Sequence, residues 1–156
     1  PHDVIALTRM AAKTYVDTPT GKVSEADKER ALQAVDAGAT WLDSFTEEID
    51  PQEMAFLRAG ITYIKGWVYM TAHDPYPAIP LLQEAFTLQK EIKDAENYVF
   101  PLAALSQCYS ELGDTDALHN LLIEVKETIK TTSLHSGKLR TLAREIEKEL
   151  SGQDEA

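Results

Sequence analysis

The stretch ALSQCYSELGD, Ala104–Asp114, decides how this chain folds. It reads as the end of an apolar helix. Ser106 is small and lies three residues before Tyr109, so the two fall on one helical face. A small side chain lets a second helix approach closely, and the tyrosine fills the space beside it. Gly113 then ends the helix, because glycine enters the left-handed conformation without steric cost. Beyond it, Ala117, Leu118 and Val125 continue the helical spacing to about Lys130. The stretch therefore predicts two helices packed back to back across a tight turn.

The same period extends in both directions. C-terminally, Leu139, Leu142, Ile146 and Leu150 line one face of a helix from about Ser136. N-terminally, a helix from about Glu96 to Leu112 contains Pro101, which marks a kink or a late start near Asn97. A helix from about Pro77 to Ile92 carries Leu81, Leu82, Ala85 and Leu88, with Pro80 in its first turn. Asp50-Pro51 supplies a cap and a first-turn proline for a helix bearing Met54, Leu57, Ile61, Ile64 and Val68. Ser24 caps a helix whose stripe is Ala31, Leu32, Val35, Ala39, Leu42 and Phe45. The first helix spans about Asp3 to Tyr15 and stops before Thr18-Pro19-Thr20-Gly21. No segment alternates long enough to predict a strand, so the expected class is all-α.

Length and charge bound the function. The chain has 156 residues, enough for one domain with its own core. Acids outnumber bases 26 to 15, for a net charge of −11. No Lys/Arg cluster appears of the kind that displaces phosphate counterions, so neither nucleic acid nor an anionic membrane surface is an expected partner. From Asp17 to Glu53 there are ten acids against three bases, Lys22, Lys28 and Arg30. That acidity suits a cationic segment of a partner; its plainer reading is a solvated surface. No apolar run reaches the length of a membrane span. The single Cys108 fits a reducing compartment, which points to the cytoplasm. A chain that begins at Pro1 without Met leaves a removed signal peptide open.

Two helix pairs repeat one pattern. Gly66 precedes Tyr69, followed by Ala78 and Ala85; Ser106 precedes Tyr109, followed by Gly113-Asp114, Ala117-Leu118 and Val125. The stretches from Gly66 to Phe86 and from Ala104 to Asp114 resemble the tetratricopeptide repeat, over about Ala59 to Ile129. Tyr69 and Tyr109 lie 40 residues apart, whereas that family repeats about every 34, so the repeat is irregular. The resemblance implies a right-handed superhelix of about three antiparallel helix pairs with a C-terminal capping helix. The expected units within a single domain, 1–152, are an irregular first pair at 1–53, a second at 54–93, a third at 94–131 and a cap at 134–151, followed by a tail at 152–156. The core should join Tyr69, Leu82, Ala85, Leu105, Tyr109 and Leu121.

The resemblance also implies a site. In tetratricopeptide proteins the positions one after, two before and six before the repeat tyrosine face a concave groove. Here these are Met70, Trp67 and Tyr63, and in the next pair Ser110, Gln107 and Ala103. The expected partner-binding groove is therefore Tyr63, Trp67, Met70, Gln107 and Ser110; the competing reading packs Tyr63 and Trp67 beneath the first helix pair. No catalytic set accompanies it. His2, His73, His119 and His135 lack metal-ligand spacing. Cys108 reads as a buried thiol, and no phosphate loop or nucleophile turn is present. No cofactor is expected. The function expected is a non-enzymatic protein–protein interaction module that holds a peptide or helix, with a second copy of the chain as a further candidate partner. The alternative is a dedicated chaperone resembling those of type III secretion translocators.

Overall fold

The computed structural model describes residues 3–132 and 134–154. His2 and the end of the expected tail lie outside them. The elements are α1 (Asp3–Val16), α2 (Glu25–Asp43), α3 (Pro51–Thr71), α4 (Pro75–Glu91), a 3-10 turn at Ala95–Asn97, α5 (Val99–Leu112), α6 (Thr115–Thr131) and α7 (Ser136–Asp154). No strand occurs among the described residues, and the class is all-α.

Polar side chains start the helices where the sequence places them. The Ser24 hydroxyl accepts the Asp27 N–H at 3.1 Å. The Asp50 carboxylate accepts the N–H groups of Gln52 and Glu53 at 2.9 and 3.3 Å, with Pro51 in the first turn. These bonds satisfy donors that have no partner inside the helix.

Three boundaries differ from expectation. α4 begins at Pro75 rather than Pro77, so Pro80 lies in the helix interior. The Tyr76 carbonyl therefore has no donor four residues on, in a residue that is 74% exposed. α5 starts late, at Val99, and Pro101 falls in its first turn, where no N–H is required. α2 ends at Asp43, which leaves Phe45 in the following turn with its ring 4.7 Å from that of Trp41.

One turn recurs at a spacing of twenty residues. His73, Lys93 and Gly113 all adopt left-handed backbone, with φ of 57°, 56° and 65°. Each is followed by an aspartate whose N–H reaches back to the carbonyl of Tyr69, Gln89 or Tyr109 at 2.9, 2.9 and 3.0 Å. This six-residue closure satisfies a carbonyl left open at the helix end. Only the third turn is visible in the sequence, because only Gly113 is a glycine. His73 and Lys93 take the same conformation against their preference.

Helices touch near neighbours only. α1 packs on α2 and α3, α3 on α2, α4 and α5, and α5 on α4, α6 and α7. Among the described residues the backbones of α2 and α4, and of α4 and α6, stay apart, with Lys90 of α4 reaching Glu124 of α6 through an ion pair at 3.9 Å. The odd-numbered helices thus lie side by side in chain order. The core divides in two, and Leu82, Leu105 and Leu121, expected to share a core with Tyr69 and Tyr109, fall in one of the clusters with both tyrosines packed against it. One cluster holds Val4, Ala12, Val35, Leu42, Leu57 and Ile64; the other holds Leu82, Leu102, Leu105, Leu121, Leu139 and Ile146. Tyr63, Trp67 and Tyr69 pack against both. The division follows from α3, which buries one flank against α1 and α2 and the other against α4 and α5. Tyr109 stays half-buried at the edge of the second cluster, while Ala85 is wholly buried.

Candidate partner-binding face

The row of odd-numbered helices presents two recesses. On α3, Phe56, Gly60, Tyr63 and Trp67 follow one another at intervals of three and four residues, so they share a face. On α5, Phe100, Ala103, Gln107 and Ser110 do the same.

The first recess is a cavity of about 630 Å³ between α1, α3 and the start of α5. Its aromatic walls are Phe56, Tyr63, Trp67 and Phe100. The Tyr63 and Phe100 rings lie 6.2 Å apart, tilted by 54°, within the range of attractive aromatic contacts. Met10, Phe56 and Phe100 are exposed at its rim. Arg9 and Lys13 of α1 bring positive charge to it, and Gln89, Asp94 and Asn97 complete the lining. Burial pushes the Tyr63 phenol above its ordinary pKa, and the nearby Arg9 charge opposes that only in part. The phenol is therefore neutral at physiological pH.

The second recess, about 620 Å³, lies between α5 and α7. Ala103, Gln107 and Ser110 form one wall, and Leu142, Glu145 and Glu149 the other. Glu111 and His73 close one end. The Ser110 hydroxyl donates to the Glu149 carboxylate. His73 joins three parts of the chain. Its Nε2 lies 3.2 Å from the Gly21 carbonyl and its Nδ1 3.4 Å from a Glu111 carboxylate oxygen. The neighbouring Asp74 carboxylate lies 3.5 Å from Lys28 Nζ of α2.

The expected groove residues divide among these places. Tyr63 and Trp67 meet in the first recess; Gln107 and Ser110 meet in the second. Met70 belongs to neither: it is 7% exposed and packs in the core with Ala78 and Leu82 of α4. The correction is geometric, since α3 turns position 70 toward α4. Tyr63 and Trp67 line the cavity and also support both core clusters, so the groove and packing readings each describe part of their role. Arg9, Phe56, Gln89 and Phe100 escaped the sequence reading. Phe100 carried a usable signal, seven residues before Gln107 on the same face. Gln89 and Arg9 carried none, because their meeting depends on how α1 and α4 sit against α3.

Cys108 is fully buried. Burial, and secondarily the Glu111 charge, push its thiol up to about 11, so it stays protonated and unreactive at neutral pH. Among the described residues no group of three or more His, Cys, Asp or Glu is placed to hold a metal ion. No helix there is long and apolar enough to cross a membrane. No family model matches the chain, and no curated protein or solved structure matches it.

Proposed function

We propose that the chain is a non-enzymatic protein–protein interaction module, a tetratricopeptide-like scaffold that holds an extended peptide or helix against its odd-numbered helices. One observation carries this reading. The α5 stripe of Phe100, Ala103, Gln107 and Ser110 runs from the aromatic recess into the acidic one, so the two are parts of one face. Aromatic side chains anchor interfaces by burying large areas at small entropic cost. The glutamates beside Gln107 favour a partner with a cationic stretch, and the net charge of −11 would steer its approach.

The test begins with capture by the purified chain, with mass spectrometry of what it retains. Recovery of a secretion translocator would mark the chaperone form of the same activity. Gln107→Lys then probes the face without touching the core, because Gln107 is exposed. A lysine there repels a cationic segment, and affinity should fall at least about tenfold with the melting temperature unchanged. Phe100→Ala, at an anchor position, should weaken binding by a similar or larger factor. An identified partner indifferent to both substitutions would refute this face as the binding site.

A further inference from the structure

The turn between α3 and α4 sets a titratable ring between two groups that can only accept hydrogen bonds. His73 Nε2 lies 3.2 Å from the Gly21 carbonyl oxygen, and Nδ1 lies 3.4 Å from a Glu111 carboxylate oxygen. A neutral imidazole carries one N–H, so one of its nitrogens then turns a lone pair on an acceptor; the imidazolium turns an N–H on both. Histidine changes charge between about pH 5 and 8. The same ring is part of the wall of the acidic recess, with Glu111 of α5 and Glu145 and Glu149 of α7. The other charges at the turn are joined to each other: Asp74 lies 3.5 Å from Lys28 Nζ of α2, which also holds Glu25 at 2.9 Å. Backbone preference does not explain a histidine at position 73. Its φ is 57°, and the matching turn has glycine at 113 with φ 65°. Strained backbone of this kind gathers at ligand clamps and switches.

We propose that His73 gates the acidic recess by its charge. Neutral, it leaves the carboxylates of Glu111, Glu145 and Glu149 to a lysine or arginine of the partner. Protonated, it pairs with Glu111 and adds a positive charge at that end of the recess, so the same lysine or arginine meets a weaker attraction. Lysine and arginine keep their charge across the interval in which histidine titrates. The sign is therefore fixed: a cationic segment is held more tightly above that interval than below it. His119 and His135 line neither recess and take no part. This regulation rests on the interaction reading and gives it a direction, with the partner loosened by acid.

Acetyl-tetralysine amide serves as the probe, titrated at low ionic strength into isotope-labelled protein and followed by heteronuclear NMR. Its charge is the same at about pH 5.5 as at about pH 8. The expected result is saturable shifts at the Gln107 carboxamide and the Ser110 amide. The dissociation constant should be about three- to fivefold larger at the lower pH, the effect of one added unit charge a few ångströms away in water. His73→Asn removes the titrating ring and keeps a residue type that tolerates this backbone. With wild-type circular dichroism, its ratio between the two pH values should fall to about half the wild-type ratio or less. Equal affinity of the wild type at both pH values would overturn the gate, and so would a ratio that His73→Asn leaves unchanged; either result leaves the interaction reading standing. Gln107→Lys should abolish the shifts at both pH values. Shifts that survive it, or that fail to appear at millimolar probe, would overturn the recess as a cation site, and the gate with it.

Discussion

Gly66 and Leu82 should reverse the sign of each other's mutational effects. A Cβ placed on Gly66 would lie 2.9 Å from both Cγ and Cδ2 of Leu82, and 3.3 Å from Cβ of Leu81. Carbon atoms settle about 3.5–4.0 Å apart, so Leu82 would have to retreat by ~0.6–1 Å. It has nowhere to go, being wholly buried between α3, α4 and α5. Overpacking of this kind costs about 1–3 kcal/mol, and the helix regains about 1 kcal/mol when glycine becomes alanine. Gly66→Ala should therefore destabilise the native background by up to about 2 kcal/mol, lowering the melting temperature by up to about 8 °C. Leu82→Ala alone should cost about 2–5 kcal/mol through the cavity it leaves. In that background the two nearest atoms are gone, and the next, Leu81 Cβ, lies at 3.3 Å. Gly66→Ala should then stabilise, by up to about 1 kcal/mol. Urea unfolding followed by far-ultraviolet circular dichroism measures all four proteins, and an unchanged denaturant slope guards the comparison. If Gly66→Ala shifts stability in the same direction and by the same amount in both backgrounds, the close approach of α3 and α4 is not what demands glycine there.

Asp50→Ala removes the acceptor for two N–H groups at the start of α3; it should cost about 0.5–2 kcal/mol in chemical denaturation, and Asp50→Ser should restore most of the loss. Ala85→Trp places a large ring at a wholly buried position; the loss should reach or exceed about 3 kcal/mol, and a mutant that melts with the wild type would contradict the packing described. Cys108 should resist iodoacetamide at pH 8 in the folded protein and react readily in denaturant, as mass spectrometry would show. The folded thiol holds its proton up to about 11, while the unfolded one loses it near 9.0. The unfolded state therefore binds fewer protons between those values, and stability falls as pH rises through that window. Wild type should lose up to roughly 2–3 kcal/mol more across it than Cys108→Ala.

The helices were legible because their signals are local. Ser24 and Asp50 cap the helices they precede, Gly113 ends α5, and the apolar stripes of α2, α3 and α7 are the ones buried. The prolines misled where two placements satisfied the same local rule. A proline fits the first turn of a helix whether that turn begins at Pro75 or at Pro77, and the choice leaves Pro80 inside or outside. The turns at His73 and Lys93 were invisible for a related reason. Closure from Asp74 to Tyr69 and from Asp94 to Gln89 holds them in a conformation their own residue types do not announce.

What the sequence determined by itself was the helical class, the helix order and most of the ends, since these follow from the period of apolar residues and from caps within a few positions of one another. It also brought Tyr63 together with Trp67, and Gln107 with Ser110, because residues three or four apart on a helix share a face wherever the helix lies. Only the tertiary structure decided which face that was. Met70 sits three residues beyond Trp67, yet the packing of α4 on α3 makes it core. The division of the core on either side of α3, the meeting of Arg9 with the aromatic cavity and the enclosure of the Gln89 carbonyl have the same origin. Each depends on distances between helices far apart in the chain, and no local periodicity encodes those distances.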